Sequence, residues 1–294
     1  MKNNELPESP VVPFLKMSLL VIGISLLLLA DRHAQAEEAE KDKPSHLVRF
    51  CAMGDTPYTP EEYVTLPKQI AGMPTDIEFV IHVGDIKGGA APCDESVYID
   101  VAAILRKSEK PLFIIPGDNE WNDCTDPDQG WNYWVKHFLK FDQRWNHSIK
   151  VAHEPKHEDN FAFMRKDVLF VGINLVGGRV HDANEWETRQ VRNIKWINKQ
   201  LELHKTKVNA LVVFGHAKLN PHHATFKTGF EQLATDFDKP VLYLQGDGHT
   251  WIKDYPFKSK NILRVQVDQG AKGPPVLVQV DSSSDEVFQF DRRK

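Results

Sequence analysis

A long apolar run is missing from this 294-residue chain. The best candidate, MSLLVIGISLLLLA at residues 17–30, falls short of the ~20 residues a membrane span needs, which argues against a transmembrane helix. An excess of basic charge is missing too. Lys and Arg number 36 against 41 Asp and Glu, for a formal net charge of −5. That removes the electrostatic footprint of a nucleic-acid binder, so any phosphate recognition has to be local. Cysteine is scarce, and three residues leave room for no more than one internal disulfide. Internal repeats are absent, and the only low-complexity stretch is Ser282-Ser283-Ser284. What remains is an ordinary globular composition, 41% hydrophobic and 26% charged, with ample material for a core. The length allows one large domain or two small ones.

The amino terminus reads as a targeting segment. Lys2 and Lys16 precede the apolar run, and Ala34-Gln35-Ala36 follows it as an A-x-A cleavage signature. We therefore expect an export signal over residues 1–36, a charged leader over 37–45 and a folded domain over 46–294, in a periplasmic or secreted protein. The rival is an uncleaved anchor, because Asp31-Arg32-His33 is polar for the region before a cleavage site. Cys93 and Cys124 each lie in a polar loop just after a strand that ends in Gly-Asp. If those strands are neighbours, a Cys93–Cys124 disulfide follows, as suits an exported protein. Cys51 lies inside an apolar run and reads as a buried thiol.

One local pattern recurs five times. The runs 47–55, 79–85, 112–118, 211–216 and 241–247 are apolar, strand-length, and end in Gly followed by Asp or His. The endings are Gly54-Asp55, Gly84-Asp85, Gly117-Asp118, Gly215-His216 and Gly246-Asp247, the last followed by Gly248-His249. One such ending is an ordinary turn or helix cap. Five would bring carboxylates and imidazoles to one rim if the strands share a sheet. Converging carboxylates raise one another's pKa unless a cation lies between them, and oxygen with imidazole suits Mn, Fe or Zn rather than thiophilic ions.

Between these strands the sequence alternates with helices. Thr59-Pro60-Glu61-Glu62 starts one, residues 95–107 form a second, and 185–203 a third with Val191, Ile194, Ile197 and Leu201 on one face. Residues 226–237 form another. The aromatic-rich stretch 121–145 is expected to pack helical faces into the core. Residues 160–178 read as a hairpin, and the last strands, 262–267, 276–280 and 287–290, follow one another without helices and are expected to be antiparallel. Strand–helix–strand order implies parallel pairing. The expected fold class is α/β, with two mixed sheets face to face and helices outside.

The motifs, in order, resemble those of the calcineurin-like metallophosphoesterase superfamily, which includes the purple acid phosphatases. That family's G-D-x-H, G-D, G-N-H-[D/E], G-H and G-H-x-H stand here as Gly54-Asp55-Thr56-Pro57, Gly84-Asp85, Gly117-Asp118-Asn119-Glu120, Gly215-His216 and Gly246-Asp247-Gly248-His249. The helix carrying Gln190 and Trp196-Ile197 is similar to the family segment between the third and fourth motifs. The resemblance spans residues 47–290 and implies a four-layered αββα sandwich with a two-metal centre at the strand C-terminal rims. It makes Asp55 and His249 ligands of the first ion, His216 a ligand of the second and Asp85 the bridge. Asp118 stands where the family has a ligand Asn, and Asp247 where it has a ligand His.

Two departures stand out. Pro57 replaces the first-ion His and has no ligand atom. The adjacent Tyr58 could reach in, but a packed or solvent-facing ring is expected. Asn119 replaces the His that serves the transition state, and an amide can donate a hydrogen bond but not act as a general acid. In a second register Asn119 is itself the ligand; the alignment of Gly117 favours Asp118. His222 and His223 are candidates for the missing acid or a phosphate contact, Lys87 for neutralising phosphate, and His82 for a core histidine. The expected function is an exported phosphoesterase with two divalent ions (Mn, Fe or Zn), hydrolysing phosphate mono- or diesters of small molecules by metal-activated hydroxide. The alternative is a catalytically degraded binding protein on the same scaffold. A nuclease is the weakest reading, because no basic patch exists to hold nucleic acid.

Overall fold

Apolar side chains alternate along the strands because successive residues point to opposite faces of a sheet. In β1 (Leu47–Met53), Val48, Phe50 and Ala52 face one way while Cys51 and Met53 face the other. The computed structural model describes Met1 and residues 46–294; the expected signal and leader lie outside the described residues. His46–Lys294 forms one compact unit.

The first sheet contains β2 (Phe79–His82), β3 (Leu112–Ile114), β11 (Val276–Asp281) and β12 (Phe288–Asp291), in the order β12-β11-β1-β2-β3. Strands β1, β2 and β3 are parallel, and β11 runs antiparallel to β1. The second sheet contains β4 (Val151–Glu154), β5 (His157–Arg165), β6 (Val168–Gly172), β7 (Ala210–Phe214), β8 (Val241–Gln245), β9 (Ile252–Asp254) and β10 (Ile262–Gln266). Its order is β4-β5-β6-β7-β8-β10-β9, with β6, β7, β8 and β10 parallel. The sheets meet through their inner faces: Phe50, Phe79 and Phe113 of one pack with Phe163, Phe170 and Phe214 of the other. The rings of Phe50 and Phe79 stack at 4.8 Å. Each such ring contributes ~1.5–3 kcal/mol by leaving water.

Helices cover both outer faces. On the first sheet lie α1 (Pro60–Ala71), α2 (Glu95–Leu105) and α3 (Pro127–Phe138), burying Leu66, Tyr98, Val101, Trp134 and Phe138 against Cys51, Val80 and Ile114. On the second lie α4 (Ala183–His204) and α5 (Ala224–Phe237), burying Trp196, Ile197, Phe226 and Phe230 against Leu169, Val213 and Tyr243. The layers run α, β, β, α, as expected.

Three expectations need correction. The five strand endings do not share one sheet: β1, β2 and β3 belong to the first, β7 and β8 to the second. They still meet, because the sheets stack with these C-terminal ends on the same side. The last strands are not simply antiparallel; β10 pairs in parallel with β8. In α4, Val191 is exposed, while the buried face carries Trp186, Arg189, Gln190 and Asn193 beside Trp196 and Ile197. Those polar groups are satisfied across the layer, as where Asn193 donates to the Asn174 carbonyl at 2.7 Å, so polarity hid the face.

Candidate metal centre

The loops leaving β1 and β2 run side by side. The Asp55 amide donates to the Gly84 carbonyl at 3.0 Å, and the Thr56 amide to the Asp85 carbonyl at 2.9 Å. Gly84 has φ +90°, and a Cβ there would lie 2.7 Å from the Gly117 nitrogen and 2.9 Å from His216 Nδ1. Only glycine lets three loops approach this closely. Asp55, Asp85, Asp247 and His249 all have positive φ, between 53° and 67°. Asp and His tolerate this region better than most residues, and its clustering is typical of functional sites.

The side chains form two overlapping groups. Ligand atoms of Asp55, Asp85 and His249 lie within 4.8 Å of one another, as do those of Asp85, Asp118 and His216. Asp85 belongs to both. His216 is fully buried, and its Nε2 lies 3.0 Å from Asp118 and 3.3 Å from Asp85. His249 closes the other end, its Nε2 3.5 Å from Asp55 Oδ1 and its side chain 43% exposed. The site therefore has a buried floor and one open wall.

Asp247 sits beside the second group. Its Oδ2 accepts from the Lys218 amide at 2.8 Å, and its own amide donates to Asp55 Oδ1 at 3.0 Å. Asp118 accepts from the Gly177 amide at 3.2 Å. Asn119 is turned on Asp85: its amide nitrogen Nδ2 lies 2.5 Å from Oδ2, and its backbone N–H donates to Oδ1 at 3.0 Å.

A sunken carboxylate braces the loops from behind. Glu120, in the π-helical turn Asp118–Asn122, accepts from the amides of Gly117 at 2.6 Å, Asp85 at 3.2 Å and Ile86 at 3.3 Å. The disulfide Cys93–Cys124 lies against the Asn119 carbonyl, 3.5 Å from Cys93 Sγ. Cys51 is a buried free thiol.

The electrostatics are those of crowded anions. Burial raises the Asp55 carboxyl to about 8 against the pull of His216, with Asp85 adding to the rise. Burial and the Asp85 charge lift Asp118 to about 6. The His216 imidazole is pulled down by burial but carried well above its ordinary range by Asp85 and Asp118. Asp55 Oδ2 is buried without a hydrogen-bond partner, which is costly, and His216 Nε2 has the Asp85 and Asp118 carboxylates crowded before it. Crowded carboxylates repel one another unless a cation lies between them. A set of carboxylate oxygens and imidazoles so arranged fits hard or borderline cations.

Several residues singled out from sequence lie elsewhere. Lys87 does not open onto the cluster; its buried ammonium donates to the carbonyls of Gly88 at 3.3 Å and Ala91 at 2.8 Å, so it clasps its own loop rather than phosphate. His223 is fully buried, with Nε2 2.9 Å from the Val176 carbonyl and Nδ1 3.1 Å from Asn220 Oδ1. Both nitrogens are committed, so it is not a substitute acid. His222 is exposed on the same turn. His82 is a core histidine, 2.9 Å from the Thr56 carbonyl. Trp121, at the start of the aromatic-rich stretch, is buried beneath the Arg189 guanidinium, 4.7 Å away.

Tyr58 is the residue the sequence reading misplaced. Its hydroxyl points into the cluster, 2.7 Å from Asp85 Oδ2, 3.3 Å from Asp55 Oδ1 and 3.5 Å from His249 Nε2. The signal was present as Thr59-Pro60-Glu61-Glu62. Glu62, three residues past the N-cap Thr59, accepts from the Tyr58 amide at 3.0 Å and from Thr56 Oγ1 at 3.0 Å, which folds the turn back on the site.

These features define a calcineurin-like phosphoesterase fold and centre. The model of the calcineurin-like phosphoesterase family matches residues 26–251, and the chain belongs to that family. Members are typically metal-dependent phosphoesterases. No curated protein matches the chain. Among solved structures, a 5'-nucleotidase from Candida albicans SC5314 is similar at 14% identity and a TM-score of 0.48, over 83% of this chain and 50% of that one. The chain thus spans about half that nucleotidase's length. A second solved chain is similar at 11% identity and a TM-score of 0.45, over 84% of this chain and 100% of that one.

Proposed function

We propose that the protein is an exported, metal-dependent hydrolase of small phosphate mono- or diesters. The observation that carries this is the sharing of Asp85 between two ligand groups. Asp55, Asp85 and His249 would hold one cation, and Asp85, Asp118 and His216 the other, with Asp247 beside the second. When bound, the pair of ions supplies Lewis acidity that activates water and neutralises phosphate oxygens. The chain's own residues do the rest. Asp85 fixes the spacing, and Glu120 and the glycine loops hold it in place. The Asn119 amide is a hydrogen-bond donor beside the reacting group. Asn119 can donate a hydrogen bond but cannot act as a general acid, which favours esters with good leaving groups. His222, exposed on the turn Pro221–His223, is the remaining histidine candidate for a phosphate contact.

Export is supported by the amino-terminal signature and by the Cys93–Cys124 disulfide, since such bonds persist in oxidising compartments. Among the described residues no helix is long and apolar enough to cross a membrane. The test is hydrolysis of paired chromogenic mono- and diesters, with and without Mn(II), beside Asp85→Ala. Metal-dependent turnover lost in the variant is expected. A folded protein that binds metal but turns over neither ester would replace this reading with the binding protein.

A further inference from the structure

The loop that leaves β6 carries a histidine that the metal centre does not use. The loop starts beside the end of β7, where the Ala217 amide donates to the Leu175 carbonyl at 2.9 Å, and so reaches the same rim as His216. Its Gly177 amide donates to Asp118 Oδ1 at 3.2 Å, and a Cβ on Gly177 would lie 2.5 Å from Asp247 Oδ2. From there the loop follows the π-helical turn Asp118–Asn122 outward. The Arg179 amide donates to Asp123 Oδ1 at 2.9 Å, and His181 Nδ1 lies 2.9 Å from Asn122 Oδ1. His181 is thus seated one helical turn from Asp118. We propose that His181 gives a proton to the leaving oxygen of the ester, the role that Asn119 cannot fill. This rests on the phosphoesterase reading above and widens its substrates from esters with good leaving groups to esters of ordinary alcohols.

The imidazole is aimed by a residue committed to it. Asn122 is fully buried. Its Nδ2 donates to Asp123 Oδ1 and to the Arg179 carbonyl, both at 2.7 Å, and its Oδ1 accepts from Trp186 Nε1 at 3.2 Å. An indole N–H can only donate, so the amide atom that faces Trp186 and His181 is the oxygen. His181 Nδ1 must therefore carry a hydrogen. Nε2, on the far side of an exposed residue, makes no hydrogen bond among the described residues. An imidazole held through Nδ1 by an oxygen acceptor, with Nε2 free, suits general acid–base work, because the orienting bond is the same whether or not Nε2 is protonated. Lys87 and His223, the other nearby groups able to carry a proton, are committed to backbone carbonyls.

In the step, water that has lost one proton adds its oxygen to phosphorus. The bond from phosphorus to the alcohol oxygen breaks, and that oxygen keeps the electron pair. It takes the proton from His181 Nε2, and the proton released by the water restores the imidazolium through solvent. The products are the alcohol and the phosphate. A nitrophenolate leaves without a proton, whereas an alkoxide needs one.

The test gives the full-length protein, loaded with Mn(II), the 4-nitrophenyl and benzyl esters of phosphate and of methyl phosphate. His181→Ala, with thermal transition and bound metal unchanged, is expected to lower kcat/KM for the benzyl esters by ~10²–10⁴-fold, the usual worth of a general acid, and to leave the 4-nitrophenyl esters nearly untouched. His181→Asn, which keeps a hydrogen-bonding group but no acid, is expected to behave alike and replaces the Ala variant if that one is unstable. A second readout needs no turnover: nitrogen NMR of the metal-free wild type, with the His181 signal identified by its loss in the variant, is expected to find the hydrogen of the neutral ring on Nδ1. Equal losses on both kinds of ester, no loss on either, a wild type that cleaves only the 4-nitrophenyl esters, or a neutral ring with its hydrogen on Nε2 would overturn the role of His181 and leave the phosphoesterase reading standing. A folded, metal-loaded wild type that cleaves none of the four esters would overturn that reading itself.

Discussion

His216 Nδ1 lies 2.7 Å from the carbonyl oxygen of Val83. A carbonyl can only accept, so Nδ1 carries the proton, and Nε2 is turned on Asp85 and Asp118. This orientation by a backbone partner is how metal-bound histidines are commonly held. His216→Ala is therefore expected to remove one of two bound ions and lower ester hydrolysis by more than ~10–100-fold. His223→Ala is the contrast: it is expected to cost about 1–3 kcal/mol of stability through the Val176 carbonyl it abandons, with turnover per folded molecule unchanged. Equal losses of turnover in both variants would contradict the assignment.

Glu62 is 2% exposed and joins α1 to the turn after Asp55. Glu62→Ala leaves the Tyr58 amide and Thr56 hydroxyl without their acceptor. It is expected to destabilise the protein by about 1–3 kcal/mol, with Glu62→Gln intermediate, in urea unfolding at neutral pH. A midpoint unchanged in Glu62→Ala would show that the turn holds without it.

His82 gives a pH dependence. Burial lowers its pKa from 6.5 to about 4, against the opposing pull of the Thr56 carbonyl and Asp85. The unfolded chain binds this proton below 6.5, and the folded chain only near 4. Stability from this group is therefore complete above 6.5 and falls as pH drops toward 4. The full loss is about 3 kcal/mol. Unfolding free energies of wild type and His82→Gln, measured from neutral pH down to that limit, should diverge in this direction. Parallel profiles would contradict it.

The Cys93–Cys124 bond closes a segment of sequence separation 31. By loop entropy it contributes about 3–4 kcal/mol. The Cys93→Ser/Cys124→Ser protein should lose about that much in urea unfolding, and because Cys93 Sγ touches the Asn119 carbonyl, its ester hydrolysis should fall too. A double variant as stable and as active as wild type would show that the bond is dispensable to both fold and site.

The layers were legible in the sequence because periodicity reports burial directly: alternating strands and apolar helix faces recur in the right order. The shared position of Asp55, Asp85, Asp118, His216 and His249 was legible because glycine marks each strand end. What stayed hidden depended on direction. Lys87 and His223 sit near these motifs in sequence, but backbone carbonyls of Ala91 and Val176 capture them. Tyr58 reaches the cluster from a turn that Glu62, in the first turn of the next helix, holds by accepting from its amide, and no periodicity encodes that. The polar contacts of α4, such as Asn193 to Asn174, masked its buried face for the same reason.

The central claim is that Asp85 belongs to two ion sites at once. Calorimetric titration of the metal-free protein with Mn(II) tests it most directly, comparing wild type with Asp85→Ala and Asp118→Ala. Two ions in the wild type, one in Asp118→Ala and none held tightly in Asp85→Ala is the predicted result. A single site in the wild type, or loss of only one ion in Asp85→Ala, would contradict it.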